Sequence, residues 1–370
     1  MNLSYWEYQT WLSNIDFTIV GSGIVGLNTA LHLKSRFPKA KILVLERGFL
    51  PNGASTKNAG FACFGSLSEI VDDLNSHTPS EVVELIQKKL DGLQLLRQNL
   101  GDDDIDYKHW GGYEVFLPQD EVLFSNCLSK MQEVNKLLFP IFKEKAFSEV
   151  ANTFGFKNIN QNLLYNKYEG QINTGKMMEA LLYKVQRAGV KILNTINVEE
   201  FTEKNGEVEV KTEQFQFTTK KLLIATNGFA AKLGISEVKP ARAQVLITTP
   251  IKDLPIKGTF HLDKGYYYFR NIDNRVLFGG GRNLDFKTEE TTVMEQTAVI
   301  QNKLEELLKN TILPDQDFEI AHRWSGVMGV GAQKKPILKQ LSENVYCGVR
   351  LGGMGVAIGS LVGKELADLI

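Results

Sequence analysis

The first residues whose spacing could do chemistry are Gly21, Gly23 and Gly26, in the stretch DFTIVGSGIVGLNTALHL. They stand between a β-branched run and an apolar run with helical spacing, and Glu46 follows 20 positions after Gly26. In a dinucleotide-binding β–α–β unit, such glycines allow a tight turn, a close backbone approach to a pyrophosphate and close packing of helix on strand. The free N–H groups at the helix N-terminus bind the phosphates, and the acidic side chain binds a ribose. The sequence therefore predicts dinucleotide binding by Gly21, Ser22, Gly23, Ile24, Val25, Gly26 and Glu46.

Two further segments bear on which nucleotide is bound, because the glycine turn alone does not separate FAD from NAD or from S-adenosylmethionine. RGFLPNGASTKNAG, residues 47–60, is rich in hydroxyl, amide and glycine groups that suit a loop laid along an extended cofactor. GVRLGGMG, residues 348–355, precedes a predicted helix. A helix N-terminus with Arg350 close by would stabilise the negative charge that a reduced flavin accumulates near N1. The pattern favours FAD over NAD.

The sequence resembles the FAD-dependent amine and amino-acid oxidoreductases related to D-amino-acid oxidase, glycine oxidase and sarcosine oxidase. Residues 53–60 match the family's G-A-S-x-x-N-x-G segment, and residues 194–198, 223–228 and 348–355 match three later motifs in the same order. The resemblance covers about residues 15–370. It implies further FAD contacts from Arg47, Ala54, Ser55, Thr56, Lys57, Asn58, Ala59, Gly60, Val198, Thr226, Asn227, Gly228, Arg350, Leu351, Gly352, Gly353, Met354, Gly355 and Val356.

The resemblance also implies that FAD is bound non-covalently. Relatives that attach the flavin through a cysteine carry it just before a late glycine- and proline-containing run, and Trp324 and Ser325 stand at the matching positions here. The run itself departs from the family pattern, because Lys335 replaces the acidic residue before Pro336.

A second sheet that roofs the flavin is also implied, and residues 240–281 match it. In members that oxidise amino acids, arginine and tyrosine side chains on such strands hold the substrate carboxylate. Arginine suits this role because its fork binds both carboxylate oxygens in one plane. The candidates here are Arg242, Arg270, Arg282, Arg323, Tyr266 and Tyr268, with Arg270 and Tyr268 as the first choices.

Three other residues on the expected active side are open to more than one interpretation. Cys63 is interpreted as a buried spectator thiol, and Lys57 as a phosphate-binding or surface cation rather than one that favours reaction with oxygen. His261 is interpreted as a surface or hydrogen-bonded residue rather than a base. The cysteines do not have the spacing of a zinc site, so no metal is predicted.

The elements that must position these residues indicate a mixed α/β (α+β) fold, with a Rossmann-like FAD-binding domain and an inserted mixed or antiparallel sheet domain. Because nucleotide-binding elements occur at both ends of the chain, the FAD-binding domain is expected to comprise residues 1–75, 150–240 and 320–370. Residues 76–149 and 241–319 are expected to form the substrate domain. The apolar spacing predicts strands at 17–20, 41–46, 190–193, 208–212, 215–219, 221–225, 242–249, 258–271, 275–281 and 345–348. It predicts helices at 24–36, 67–100, 120–146, 174–189, 288–309 and 356–369.

Composition limits the classes of function. A formal net charge of −1 offers no basic surface for nucleic acid or for an anionic membrane. The N-terminus has no basic or apolar signal region, and no apolar run approaches the roughly 18 residues of a membrane span. Three scattered cysteines fit reduced thiols, so a cytoplasmic protein is predicted.

The function implied by the resemblance is that of an FAD-dependent oxidoreductase acting on the C–N bond of an amino acid or of a small primary or secondary amine. Hydride would pass to flavin N5, the imine would be hydrolysed, and oxygen or an electron carrier would accept the electrons. One alternative is a flavin dehydrogenase of a 2-hydroxy acid or polyol phosphate. Another is a flavin-binding module that serves a partner protein without turnover of its own.

Overall fold

The computed structural model describes residues 3–370, so the first two residues of the predicted segment 1–75 lie outside the described chain. Its strands are β1 (Ile15–Val20), β2 (Ile42–Leu45), β3 (Phe61–Ala62), β4 (Gly112–Glu114), β5 (Phe147–Ala151), β6 (Asn162–Asn166), β7 (Gly170–Gln171), β8 (Lys191–Leu193), β9 (Val198–Lys204), β10 (Glu207–Thr212), β11 (Gln216–Ile224), β12 (Lys239–Thr248), β13 (Thr259–Leu262), β14 (Tyr267–Ile272), β15 (Arg275–Gly280), β16 (Ile320–Val330), β17 (Ile337–Ser342) and β18 (Val345–Val349). Its α-helices are α1 (Tyr5–Glu7), α2 (Ile24–Arg36), α3 (Ala54–Lys57), α4 (Leu67–Leu74), α5 (Pro79–Leu100), α6 (Glu121–Phe142), α7 (Thr174–Arg187), α8 (Phe286–Glu289), α9 (Ala298–Leu307) and α10 (Gly355–Asp368). The predicted mixed α/β class is confirmed.

The first sheet has the strand order β17-β18-β11-β1-β2-β8, and the hairpin of β9 and β10 pairs with β11. From β18 to β8 the strands are parallel. The chain passes from β1 through β2 to β8 on one side and later returns through β11 and β18 on the other. The carboxyl end of β1 is therefore a topological switch point, where open α/β sheets bind their ligands.

The second sheet has the order β16-β12-β15-β14-β13-β4-β6-β5 and is antiparallel except where β13 pairs with β4. Its strands cross the predicted domain boundaries. Strand β16 belongs to this sheet, although residues 320–370 were assigned to the FAD-binding domain. Strands β5 and β6 also belong to it, although β6 lies within the segment 150–240. One face of the sheet is a hydrophobic core built on stacked Phe260 and Phe269 and on Leu304 of α9.

Helix α5 also differs from its predicted place in the substrate domain. It packs on α10, and its apolar residues Leu93, Leu96 and Leu100 join the core beneath the first sheet. Thr78 and Glu81 form a reciprocal capping box at its start, and Pro79 occupies the first turn, where its missing N–H costs nothing. The predicted helical insert is therefore divided between the two layers.

The predicted helix 288–309 starts too early, because α8 ends at Glu289 and α9 begins at Ala298. Thr291, Thr292 and Val293 lie in the gap, and β-branched side chains lose rotamer freedom in a helix. A buried polar network holds this segment against β12. The guanidinium of Arg242 donates two hydrogen bonds of 2.8 Å to the Glu289 carboxylate.

This buried ion pair generates a stability prediction. Glu289→Ala leaves the Arg242 charge buried without its partner, which is expected to cost about 3–5 kcal/mol of unfolding free energy. The matched control is Glu290→Ala, which removes the exposed pair with Lys239 and is expected to cost less than about 1 kcal/mol. Urea unfolding of both variants measures the difference. Equal losses would contradict a structural role for the buried pair.

Candidate functional site

A cavity of about 490 Å³ lies between the two sheets at the carboxyl end of β1. It runs from the glycine turn and Glu46 at one end to the face of the second sheet that carries Tyr268 at the other. The loop containing α3 and the start of α10 form its sides. Such a cavity, with polar groups at one end and aromatic groups at the other, is the ordinary form of a cofactor and substrate site.

The glycine turn is shaped by two close backbone contacts. Gly21 has φ of 107°, and a Cβ atom at Gly26 would lie 2.0 Å from the Gly21 carbonyl oxygen. Only glycine allows α2 to start this close to β1, which points the helix N-terminus at the cavity. There the Ile24 N–H donates to the Ser55 hydroxyl at 2.9 Å.

Glu46 is buried at the end of β2 and is held by both neighbouring turns. Its carboxylate accepts a 2.6 Å hydrogen bond from the Ser22 hydroxyl and a 2.9 Å bond from the Gly48 N–H. The carboxylate still lines the cavity, as a ribose-binding residue must. Close to it the Arg47 guanidinium lies 3.6 Å from the centre of the Phe229 ring, and both residues line the same end of the cavity.

The loop around α3, residues 53–60, forms one wall. Asn58 fixes its end, since its side chain donates to the Ser55 carbonyl and accepts the Gly60 N–H at 2.9 Å. The Trp324 indole N–H of the second sheet donates to the Lys57 carbonyl at 2.9 Å. The loop is thereby tied to both layers.

The opposite wall contains a buried polar atom that fits a ligand. Thr226 Oγ1 is buried, lines the cavity and has no hydrogen-bond partner within residues 3–370. Its neighbour Asn227 accepts the Leu351 N–H at 3.1 Å and so fixes the glycine loop before α10. Free helix N–H groups, a ribose acid and an unsatisfied hydroxyl are a donor and acceptor set suited to FAD.

The structure brings most of the predicted cofactor residues to the cavity. They are Gly21, Gly23, Ile24, Val25, Glu46, Arg47, Ala54, Ser55, Lys57, Asn58, Ala59, Gly60, Val198, Thr226, Asn227, Leu351, Gly352, Gly353, Met354, Gly355 and Val356.

Five predicted cofactor residues do not line it. Ser22 holds Glu46, and Gly26 packs against Gly21. Thr56 donates to the Pro51 carbonyl, and Gly228 packs against Met328 of β16.

Arg350, predicted to lie close to the flavin, is the fifth residue outside the cavity lining. It has φ of 64°, and its guanidinium donates two hydrogen bonds to the Lys335 carbonyl, outside the cavity.

A transverse row of paired residues crosses the second sheet, and His261, Tyr268 and Val245 of this row line the cavity. Strand register places His261 opposite Tyr268, Tyr268 opposite Gly279, Gly279 opposite Val245, and Val245 opposite Trp324. Directly paired residues share a face, so this row forms the roof. A Cβ atom at Gly279 would lie 2.7 Å from the Tyr268 ring, so the glycine leaves room for it.

Three of the four substrate-orienting candidates in the catalytic set lie outside the cavity lining. Arg242 is committed to Glu289, and Arg323 binds Gln301 and Glu305 at 2.7 Å. Arg270 shares the face of Tyr268 but lies beneath residues 59–60, where it donates to backbone carbonyls.

Tyr268, Tyr266 and Arg282 do line the cavity. The Arg282 guanidinium lies against the rings of Tyr266 and Phe286, and no carboxylate in the described chain forms an ion pair with it. Burial raises the pKa of Tyr268 to about 12, although the Arg282 charge opposes the rise, so the hydroxyl is protonated and can donate.

A buried ion pair supports the roof at its other end. His261 Nε2 lies 2.9 Å from Glu169 Oε2, which also accepts the Thr259 hydroxyl at 2.7 Å. His261 and Cys63 line the cavity. The atoms of Cys63, Glu169 and His261 that could ligate a metal lie within 4.8 Å of one another. Because the histidine and carboxylate already bind each other, the cluster is interpreted as an ion pair beside a thiol. Burial and the carboxylates of Glu169 and Glu69 raise the pKa of the Cys63 thiol well above its ordinary value.

Glu169 and Phe229 were missed in the sequence. Phe229 directly follows the matched turn 223–228 and could have been found by extending that motif by one residue. Glu169 lies in an irregular turn, and only the packing of β13 against β4 brings His261 to it. No local pattern marks such a residue.

No helix in residues 3–370 is both long enough and apolar enough to span a membrane.

With this geometry established, comparison with known proteins decides the family. The chain matches the model of the DAO family, described as FAD dependent oxidoreductase, over residues 16–369. The chain belongs to this family. It is therefore an FAD-dependent oxidoreductase, and the prediction of FAD as its cofactor is confirmed.

Individual relatives are distant. The DAO protein is 21% identical to the probable oxidoreductase OrdL of Haemophilus influenzae, with 98% of this chain and 84% of that protein covered. It is 23% identical to the gamma-glutamylputrescine oxidoreductase of Escherichia coli, with 96% and 83% covered. The solved glycine oxidase of Geobacillus kaustophilus has a TM-score of 0.77 at 19% identity, with 96% and 94% covered. That likeness shows a shared fold.

The His261–Glu169 pair generates a pH prediction. Burial alone would lower the pKa of His261, but the charge and hydrogen bond of Glu169 outweigh it and raise the pKa from 6.5 to about 9. A group whose pKa is raised on folding stabilises the protein fully below its unfolded value and loses that contribution as pH rises through the folded value. The loss expected between pH 6.5 and 9 is up to about 3 kcal/mol.

Unfolding free energies of wild type and His261→Gln, measured across this range, test the expectation. The wild type is expected to lose stability as pH rises, and the variant to follow a flatter curve. His322→Gln changes an exposed histidine of β16 and is expected to keep the wild-type slope. An unchanged slope in His261→Gln would show that the pair is not charged.

Proposed function

We propose that this DAO protein oxidises the C–N bond of an amino acid or of a small primary or secondary amine that carries a carboxylate. The observation that carries the proposal is Arg282, a cavity-lining guanidinium without a carboxylate partner among the described residues. The protonated hydroxyl of Tyr268 belongs to a residue that lines the same cavity. Arginine and tyrosine in this arrangement suit a carboxylate held in one plane. The names of two relatives, a glycine oxidase and a gamma-glutamylputrescine oxidoreductase, support an amine substrate.

The roof residues then have distinct tasks. Arg282 and Tyr268 bind and orient the substrate, while Phe61 and Tyr268, whose ring centres lie 5.6 Å apart, exclude water. The positive charge of Arg282 lowers the pKa of a bound amine and favours its neutral, oxidisable form, whereas the charge of protonated His261 is balanced by Glu169. FAD, when bound, supplies the hydride acceptor, and the imine product is hydrolysed.

FAD is proposed to bind non-covalently, in a cavity whose nucleotide end is Glu46 and the glycine turn. Thr226 would donate to it, and the N-termini of α2 and α10 would face its charged groups. Its electrons would pass to oxygen or to a carrier protein. We also propose two domains whose boundaries follow the two sheets. A cytoplasmic location stays a prediction from the sequence.

Anaerobic reduction of the bound FAD tests the substrate class. Amino acids and N-alkyl amino acids are expected to bleach the long-wavelength flavin band, whereas the matching 2-hydroxy acids and polyol phosphates are not. Reduction by a hydroxy acid alone would replace the proposal with the dehydrogenase alternative.

Arg282→Met tests the carboxylate contact once a substrate is found. The KM for that substrate is expected to rise tenfold or more because the anion loses its partner, with a smaller effect on kcat. Arg323→Met, on a neighbouring part of the sheet but outside the cavity lining, is expected to leave KM unchanged. An unchanged KM in Arg282→Met would remove this residue from the substrate site.

A further inference from the structure

Arg270 is a buried, charged side chain that does not belong to the proposed substrate site. Its side chain is only 2% exposed, and it is the largest fully buried side chain of the described chain. No carboxylate within residues 3–370 forms an ion pair with it. Burial lowers the pKa of Arg270 to about 10, against the longer-range charges of Asp273 and Asp106, so the guanidinium is protonated at neutral pH.

All three nitrogen atoms of the guanidinium donate to backbone carbonyl groups. Nε donates to Ala59, Nη2 to Ile172 at 2.9 Å, and Nη1 to Asn271 at 3.3 Å. Ala59 belongs to the cofactor loop, and Ile172 donates its own N–H to the carbonyl of Gly60 at 2.8 Å. The arginine therefore binds the end of the loop to the strand pair β3–β7.

Gly60 packs closely against both Ile172 and Arg270. Its φ is 74°, and a Cβ atom there would lie 2.3 Å from the Ile172 carbonyl oxygen and 2.7 Å from Arg270 Nη2. The backbone thus passes directly over the guanidinium, and only glycine leaves the space.

The backbone of Ala59 and Gly60 separates Arg270 from the cavity. Ala59 and Gly60 both line the cavity, whereas Arg270 does not. The Arg270 guanidinium therefore lies behind the backbone of residues 59–60, which forms the cavity wall. Tyr268 belongs to the same strand, and Ser55 is at the other end of the loop. An uncompensated buried charge costs several kcal/mol unless a negative group is close. Reduced FAD, when bound in this cavity, would supply a negative charge.

We propose that Arg270 is a positioning residue for FAD, which clamps the end of the loop 53–60 against the cavity and stabilises negative charge on the reduced cofactor. The inference rests on the FAD site and not on the proposed amine substrate. If the amine assignment fails, the proposal about Arg270 stands, because its test uses no substrate.

The test compares two variants of the FAD-loaded protein. Arg270→Gln removes the charge, and Arg270→Lys keeps it while losing most of the hydrogen bonds to the loop. Arg275→Gln is the matched control, because Arg275 also donates to a backbone carbonyl in this sheet but does not line or adjoin the cavity wall. FAD dissociation constants and the two-electron midpoint potential are measured for each.

Because both Arg270 variants lose hydrogen bonds to the loop, we expect each to bind oxidised FAD at least tenfold more weakly. Because Arg270→Gln also removes the positive charge, we expect it to weaken binding of reduced FAD a further tenfold, which lowers the midpoint potential by about 30 mV for a two-electron couple. Arg270→Lys is expected to keep the wild-type potential, and Arg275→Gln to keep both quantities.

Wild-type FAD affinity in Arg270→Lys would overturn the clamp. A wild-type potential in Arg270→Gln would overturn the role of the charge. If Arg270→Gln does not fold, Arg270→Lys decides, since a potential lowered by 30 mV in a variant that keeps the charge would contradict the proposal.

Discussion

The close approach of α2 to β1 is the contact on which the rest of the site depends. Gly26 lies so near the Gly21 carbonyl that no side chain fits, and this lets the helix N-terminus face the cavity at the sheet's switch point. Parallel pairing of β1 with β2 then brings Glu46, one residue beyond Leu45, beside the turn after Val20. One backbone geometry thus brings together the groups that we predict to bind the phosphates and the ribose.

The cofactor loop carries this geometry to the second sheet. Ser55 is bound to α2, Lys57 to Trp324 and Ala59 to Arg270, so the loop is fixed by the nucleotide layer at one end and by the roof at the other. A side chain of the roof can therefore act on FAD through this loop without entering the cavity. The same roof presents Tyr268 and His261 to the cavity.

The sequence predicts the nucleotide half well because its signals are local. The strand, glycine turn, helix and acid lie within residues 16–46, and each has a spacing set by backbone geometry. The roof is different. Arg242, Arg270 and Arg282 cannot be told apart in the sequence, because their surroundings depend on the pairing of distant strands. In the structure Arg242 binds Glu289, Arg270 binds the loop 53–60, and Arg282 lines the cavity. Arg350 was misplaced for a similar reason, since its positive φ turns the side chain toward Lys335.

We propose that the cavity between the sheets holds FAD without a covalent bond. The visible absorption spectrum of the purified protein, repeated on the supernatant after heat denaturation, tests this. We expect the two visible bands of oxidised flavin in the native protein and their full recovery in the supernatant. Flavin that stays with the precipitated chain would contradict non-covalent binding. A colourless protein that takes up no added FAD would contradict the assignment of the cavity itself.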